Sequence, residues 1–267
     1  MIRRFRNYLS PRLRAAAPAV PPGERVYAIG DIHGRLDLFS EMIEQIEEDD
    51  ARRGPASTTV VLLGDLIDRG PDSAGVIDAA RAWAQRRPLR VLAGNHEEMF
   101  LKSFDKVETL RHFLRFGGRE TLLSYPIGLA EYQSLSLEEL QQRMPQIVPA
   151  EHVAYLESLE DSVTIGDYLF VHAGIRPGVP LADQSQSDLR WIREMFIEDS
   201  RDHGCIVVHG HTICDDVEEM PNRIGIDTGA YKSGRLTCLA LEGDQRWYIT
   251  ASASNGARGS TAGRDAA

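Results

Sequence analysis

Five short apolar runs in this chain each stop at a side chain able to hold a metal ion, with glycine beside it, and no other feature limits the fold so strongly. Val60-Val61-Leu62-Leu63 leads into Gly64-Asp65-Leu66-Ile67-Asp68-Arg69-Gly70. Val26 to Ile29 leads into Gly30-Asp31-Ile32-His33-Gly34, and Leu89 to Ala93 into Gly94-Asn95-His96-Glu97. Tyr168 to Val171 ends in His172-Ala173-Gly174, and Ile206 to Val208 in His209-Gly210-His211-Thr212. Runs of this length, rich in β-branched residues, read as buried strands. Five of them predict a sheet whose strand ends converge on one site, with the glycines letting the backbone turn sharply beneath ions. Carboxylates and imidazoles suit hard to borderline divalent ions such as Mn, Fe or Zn. No thiolate lies in any of the motifs, although Cys205 and Cys214 are nearby.

The order of the first runs is informative. Between Asp31 and the second run, Leu36, Phe39, Ile43 and Ile46 fall at helical spacing, and Asp72-Ser73 can cap a second helix that runs to about Arg87. A β-α-β-α-β order implies parallel strands joined by right-handed crossovers, so Asp31, Asp65 and Asn95 sit at carboxyl ends. Residues 97 to about 161 change character, with helical patterns and a capping box at Ser136 and Glu139. This segment is read as a helical insertion beside the site, fit equally for substrate recognition and for scaffolding. Strands return with a hairpin at Ser162 to His172 and continue with 206–209, 223–227, 235–241 and 245–250. A helix from about Ser187 carries Trp191, Arg193 and Phe196.

With 40 acids against 30 bases the chain is net acidic, which argues against a nucleic-acid partner. Its three cysteines form no C-x-x-C pair, which fits reduced thiols, buried as small apolar residues, in a cytoplasmic protein. No apolar stretch approaches the roughly 20 residues that span a bilayer. Residues 1–24 read as a flexible basic arm, because Pro11, Pro18, Pro21 and Pro22 interrupt its arginine-rich helical spacing; weak contact with an anionic membrane surface is its functional alternative. Residues 25–250 read as the folded domain and 251–267 as a disordered tail.

Taken jointly and in this order, the G-D-x-H-G, G-D-x-x-D-R-G, G-N-H-E, H-A-G and G-H-T elements resemble the phosphoprotein phosphatase family of binuclear metallophosphoesterases, and its compact bacterial and lambda-phage branch in particular. The resemblance covers residues 25 to 250 or so. It implies an α/β four-layer sandwich, two mixed sheets packed face to face with flanking helices. It also implies two divalent ions, Mn foremost: one on Asp31, His33 and Asp65, the other on Asp65, Asn95, His172 and His211. A carboxylate shared between ions about 3.5 to 4 Å apart lets them activate water for direct attack on phosphorus. In the same pattern His96 is the general acid, oriented by Asp68. Arg69 and Arg193 are the phosphate clamp, although Arg190 flanks the same Trp191. His209, two before His211, would share its strand face by period-two alternation. His112, His152 and His203 read as surface histidines.

The function expected is hydrolysis of phosphoserine and phosphothreonine by a monomer whose partner is a phosphoprotein or phosphopeptide. Cleavage of dinucleoside tetraphosphates is the alternative. A nuclease of the wider superfamily is disfavoured, because such enzymes carry G-H-x-H and position 213 is Ile. A degenerate binding protein is disfavoured because no ligand is missing.

Overall fold

The computed structural model describes residues 17–253. The arginine-rich stretch before them and most of the predicted tail after them lie outside the described residues. Residues 17–23, assigned above to the arm, pack against the body: Val20 is buried and its N–H donates to Gly243 O at 2.9 Å. At the other end the last strand runs through Ser252.

Period-two burial writes the layers of the molecule. One sheet has the order β10-β9-β1-β2-β3, built from β1 (Glu24–Ile29), β2 (Ser57–Leu62), β3 (Leu89–Val91), β9 (Arg235–Glu242) and β10 (Gln245–Ser252). The other has the order β4-β5-β6-β8-β7, from β4 (Ser162–Ile165), β5 (Tyr168–Val171), β6 (Ile206–His209), β7 (Glu218–Glu219) and β8 (Arg223–Gly225). Val26, Ala28, Val61 and Leu63 face Tyr168, Phe170, Val208 and Ile224 in a core between the sheets. The alternate residues Tyr27, Ile29, Val60 and Leu62 turn outward onto helices α1 (Leu36–Arg52) and α2 (Ser73–Ala84), where Phe39, Met42 and Trp83 are buried. On the far side Leu169, Val171 and Val207 meet Leu189 and Phe196. Three cores between four layers make the sandwich that the resemblance implies.

Strands β1, β2 and β3 are mutually parallel, as are β5, β6 and β8, so each sheet sends three carboxyl ends to one edge. Between β3 and β4 the chain is helical: α3 (Asn95–Ser103), α4 (Val107–Phe113), a π turn at Leu114–Gly118, α5 (Arg119–Leu123), α6 (Leu129–Ser134), α7 (Leu137–Ile147) and α8 (Ala150–Glu157). The capping box forms, with Glu139 N–H on Ser136 Oγ at 3.2 Å and Ser136 N–H on the Glu139 carboxylate at 2.8 Å.

Two elements differ from expectation. The helix from Ser187 breaks into α9 (Gln186–Trp191) and α10 (Glu194–Ile197), because Ile192 is extended, with ψ 145°. Ile192 still joins Leu189 and Phe196 in the outer core, while Arg193 is turned to solvent. The edge strand β7 was not expected, since two adjacent glutamates carry no strand signature. A short α11 (Ala230–Ser233) precedes β9.

Candidate metal centre

Among the described residues five non-glycine positions hold positive φ, and all five lie in the sequence motifs: His33 (47°), Asp65 (47°), Asp68 (74°), Arg69 (69°) and His211 (63°). Such backbone costs of order 1–3 kcal/mol per residue and persists where surrounding contacts over-determine it. The contacts here are visible. Gly94 and Gly210 let strand ends approach so closely that an added Cβ would lie 2.0 Å from Asp65 Oδ1 and from Asp31 Oδ1 respectively.

Around His172 the donor set is that of a cation site. Its Nδ1–H donates to Leu63 O at 2.8 Å, which leaves Nε2 as a lone pair. That nitrogen faces Asn95 Oδ1 at 3.0 Å, His211 Nδ1 at 3.2 Å and Asp65 Oδ1 at 3.4 Å. His211 Nε2 is buried without a hydrogen-bond partner among the described residues. Burial lowers the pKa of His172 and takes His211 down to about 2, so both rings are neutral, as metal binding requires. Lone pairs crowded together in this way repel one another unless a positive ion lies among them. The residues fit a divalent ion.

A second group forms on the other oxygen of Asp65. His33 Nε2 is 3.6 Å from Asp65 Oδ2 and His96 Nε2 is 3.8 Å from it, while His33 Nδ1–H is fixed on Ile67 O at 2.8 Å. His33, Asp65 and His96 can hold an ion between them. Asp31 is not part of this group. Its carboxylate accepts the His211 N–H, at 3.0 Å to Oδ2, and burial together with Asp227 raises its pKa.

The catalytic candidates are deeply placed. His96 Nδ1 meets Asp68 Oδ2 at 2.5 Å, with both side chains buried. Burial opposes the imidazolium, yet Asp65 and Asp68 hold His96 above its ordinary value. Arg69 spans two histidines, with Nη1 2.8 Å from His33 Nε2 and Nη2 2.9 Å from His96 Nε2, and its Cζ lies 4.7 Å over the Tyr231 ring. Arg190 is committed to Asp161 at 2.6 Å and Glu98 at 3.4 Å. Arg193 is exposed, has no ion pair among the described residues, and depresses His172 and His211 through its charge.

Several sequence readings need correction. His209 does not share a face with His211, because the left-handed φ at His211 breaks the alternation; its ring packs edge-on against Phe196 at 5.1 Å. His152 is buried, between the Tyr125 hydroxyl and Asp78, each at 3.0 Å. His203 is largely covered, and only His112 is exposed. Of the cysteines only Cys238 is fully buried. Three site residues escaped notice. Glu97 accepts the N–H groups of Gly94, Asp65, Leu66 and Ile67 at 2.8 to 3.3 Å, tying two strand ends together. Thr121 hydrogen-bonds Asp68. Asp227 follows β8, and the run Ile224-Gly225-Ile226-Asp227 repeats the apolar-to-acid pattern that marked the other strand ends.

The family model for calcineurin-like phosphoesterases matches residues 24–223, the span that carries Asp31, His33, Asp65, Asn95, His172 and His211. The chain belongs to this family. This calcineurin-like phosphoesterase is 30% identical over 228 residues to serine/threonine-protein phosphatase 1 of Salmonella typhimurium (strain LT2), a match that covers 81% of this chain and 92% of the relative. It is 26% identical over 231 residues to the asymmetrical bis(5'-nucleosyl)-tetraphosphatase PrpE of Anoxybacillus flavithermus, covering 79% and 88%. A crystal structure provisionally described as a diadenosine tetraphosphatase superposes at TM-score 0.60 with 22% identity, covering 90% of this phosphoesterase and 100% of that chain, and so shares its fold. Among the described residues no helix is long and apolar enough to cross a membrane.

Proposed function

We propose that this metallophosphoesterase is a Mn-dependent protein serine/threonine phosphatase. Asp31, His33, Asp65, Asn95, His172 and His211 are the ligands of two divalent ions, which when bound would polarise phosphoryl oxygens and acidify water. Arg69 and Arg193 bind the remaining phosphoryl oxygens, Arg69 by turning its fork from the two histidines toward the substrate. His96 donates its Nε2 proton to the leaving oxygen, while Asp68 holds Nδ1–H and stabilises the imidazolium.

The observation that carries this reading is the buried His96–Asp68 contact at 2.5 Å. A serine or threonine alkoxide is strongly basic and leaves only when protonated, so a fixed acid has its full value, typically ~10² to 10⁴ in rate, on such a substrate. A nucleotide leaving from a polyphosphate is a far weaker base and needs the proton much less. One observation favours the second reading, cleavage of dinucleoside tetraphosphates: Phe116 and Trp191 expose 45% and 36% of their surface and are available for stacking on bases. Specificity constants with Mn at neutral pH, for a phosphoserine peptide and for diadenosine tetraphosphate, discriminate the two. The peptide is expected to be preferred. A clear preference for the tetraphosphate overturns the protein-phosphatase assignment and leaves the metal centre standing.

A further inference from the structure

We infer that Thr121 is a positioning residue for proton transfer, and that through it the helical segment between β3 and β4 is built into the chemistry. The inference rests on His96 being the general acid. Thr121 belongs to α5, 53 positions from Asp68 in sequence, and both are fully buried.

The hydrogen bonds around it leave no freedom. Asp68 Oδ2 is committed to His96 Nδ1 at 2.5 Å, and Oδ1 accepts from Thr121 Oγ1 at 2.5 Å. A carboxylate only accepts, so the single hydroxyl proton of Thr121 must point to Oδ1. The lone pairs of Oγ1 then take the Asp68 N–H at 2.8 Å and the Ser73 hydroxyl at 2.9 Å. Ser73 Oγ accepts the same Asp68 N–H at 3.0 Å. Each donor is used once the hydroxyl's direction is set by the carboxylate, the Asp68 N–H being shared between Thr121 and Ser73, and the plane of the Asp68 carboxylate is thereby fixed from the side opposite His96. Asp68 itself sits at φ 74°, a strained backbone that persists where surrounding contacts such as these over-determine it.

Without the Thr121 hydroxyl, Asp68 keeps its contact with His96 but loses the bond that stops its carboxylate turning about Cβ–Cγ. The imidazole is then presented to the leaving oxygen over a spread of orientations, and a reacting geometry loose by an ångström is costly. The effect falls on protonation of the leaving group alone, because Thr121 touches no residue proposed as a metal ligand.

The test compares Thr121→Val, which replaces the hydroxyl by a methyl of similar size, with Thr121→Ser, which keeps it, and with His96→Asn. Each is assayed with Mn on a phosphoserine peptide and on an aryl phosphate whose leaving group needs no proton, with metal content measured throughout. The Val variant is expected to lose roughly 10- to 100-fold in kcat on the peptide, a part of what a general acid supplies, and only about 3-fold or less on the aryl ester. The Ser variant stays near wild type on both. His96→Asn shows the same selectivity to a greater degree, and adding Thr121→Val to it costs little more, since the two act as one unit. Equal losses on both substrates in His96→Asn overturn the general-acid reading, and this proposal with it. If His96→Asn is selective, three results overturn the role of Thr121 alone: a Val variant without loss, a Val variant with equal losses on the two substrates, or a Ser variant as poor as Val.

Discussion

At the scale of single residues, Arg69 shows how tightly the centre is wired. Its guanidinium bridges His33 Nε2 and His96 Nε2 at 2.8 and 2.9 Å, and Tyr231 supports it from beneath. A planar fork that can face two imidazoles can also face two phosphoryl oxygens. Arg193 is a second cation near the same edge, with nothing else to neutralise it among the described residues. Hydrogen bonds to charged groups are worth about 1.5–3 kcal/mol, so Arg69→Ala and Arg193→Ala should each weaken inhibition by inorganic phosphate roughly 10- to 100-fold. Metal content should stay at the wild-type level. Arg190→Ala should instead leave phosphate inhibition alone, because Arg190 is held by Asp161. An Arg193→Ala enzyme with unchanged phosphate inhibition removes it from the clamp. The convergence of Asp65, Asn95, His172 and His211 was legible in sequence because each stands just past an apolar run. The orientation of Asp31 toward the His211 N–H was not, since a side-chain rotation in a crowded site leaves no trace in residue order.

At the scale of elements, the inner strands β1, β5 and β6 were readable because they bury both faces in separate cores, which favours apolar residues at successive positions, whereas the edge strand β7 was not. The helices were readable where a periodic face meets a cap. What could not be read is how the helical segment docks. A π turn at Leu114–Gly118 carries Gly117 at φ 108°, and its carbonyl accepts the Arg69 N–H at 3.1 Å. Nothing local in Phe116-Gly117-Gly118 announces a partner some fifty residues earlier. Two arguments bear on Gly117→Ala. Positive φ disfavours any L side chain there, and an added Cβ would lie 2.6 Å from Arg69 N. This variant should lose about 1–3 kcal/mol of stability. Its KM should rise with that of Arg69→Ala, because the carbonyl that anchors Arg69 is displaced. A Gly117→Ala protein with wild-type melting temperature and KM would show that the turn is not a clamp.

At the scale of the whole molecule, chemistry and stability occupy opposite edges of the first sheet. The carboxyl ends of β1, β2 and β3 carry their share of the candidate metal centre, while their amino ends are tied to the last turns of α1 by a charge cluster. Arg25 pairs with Asp50 at 2.6 Å, and Arg87 with Glu47 at 2.5 Å and Asp50 at 2.9 Å. Arg87 above all holds Glu47 below its ordinary 4.5. Burial works to raise Asp50, yet Thr58, Arg25 and Arg87 together keep it below 3.8. Carboxylates depressed in the folded state stabilise it fully above their unfolded values and lose that contribution as pH falls through the folded ones. Arg87→Met keeps much of the apolar stem and removes the charge. At neutral pH it should cost about 1–3 kcal/mol, lowering Tm by roughly 3–8 °C for a domain of this size. Below about pH 4.5 the wild-type Tm should fall faster than that of the variant, and the two curves should close toward each other near pH 3. Release of metal in acid affects both proteins alike and cancels in the difference. A Tm gap that stays constant down to pH 3 would mean that Arg87 contributes packing alone and that the cluster's ion pairs do not stabilise the fold.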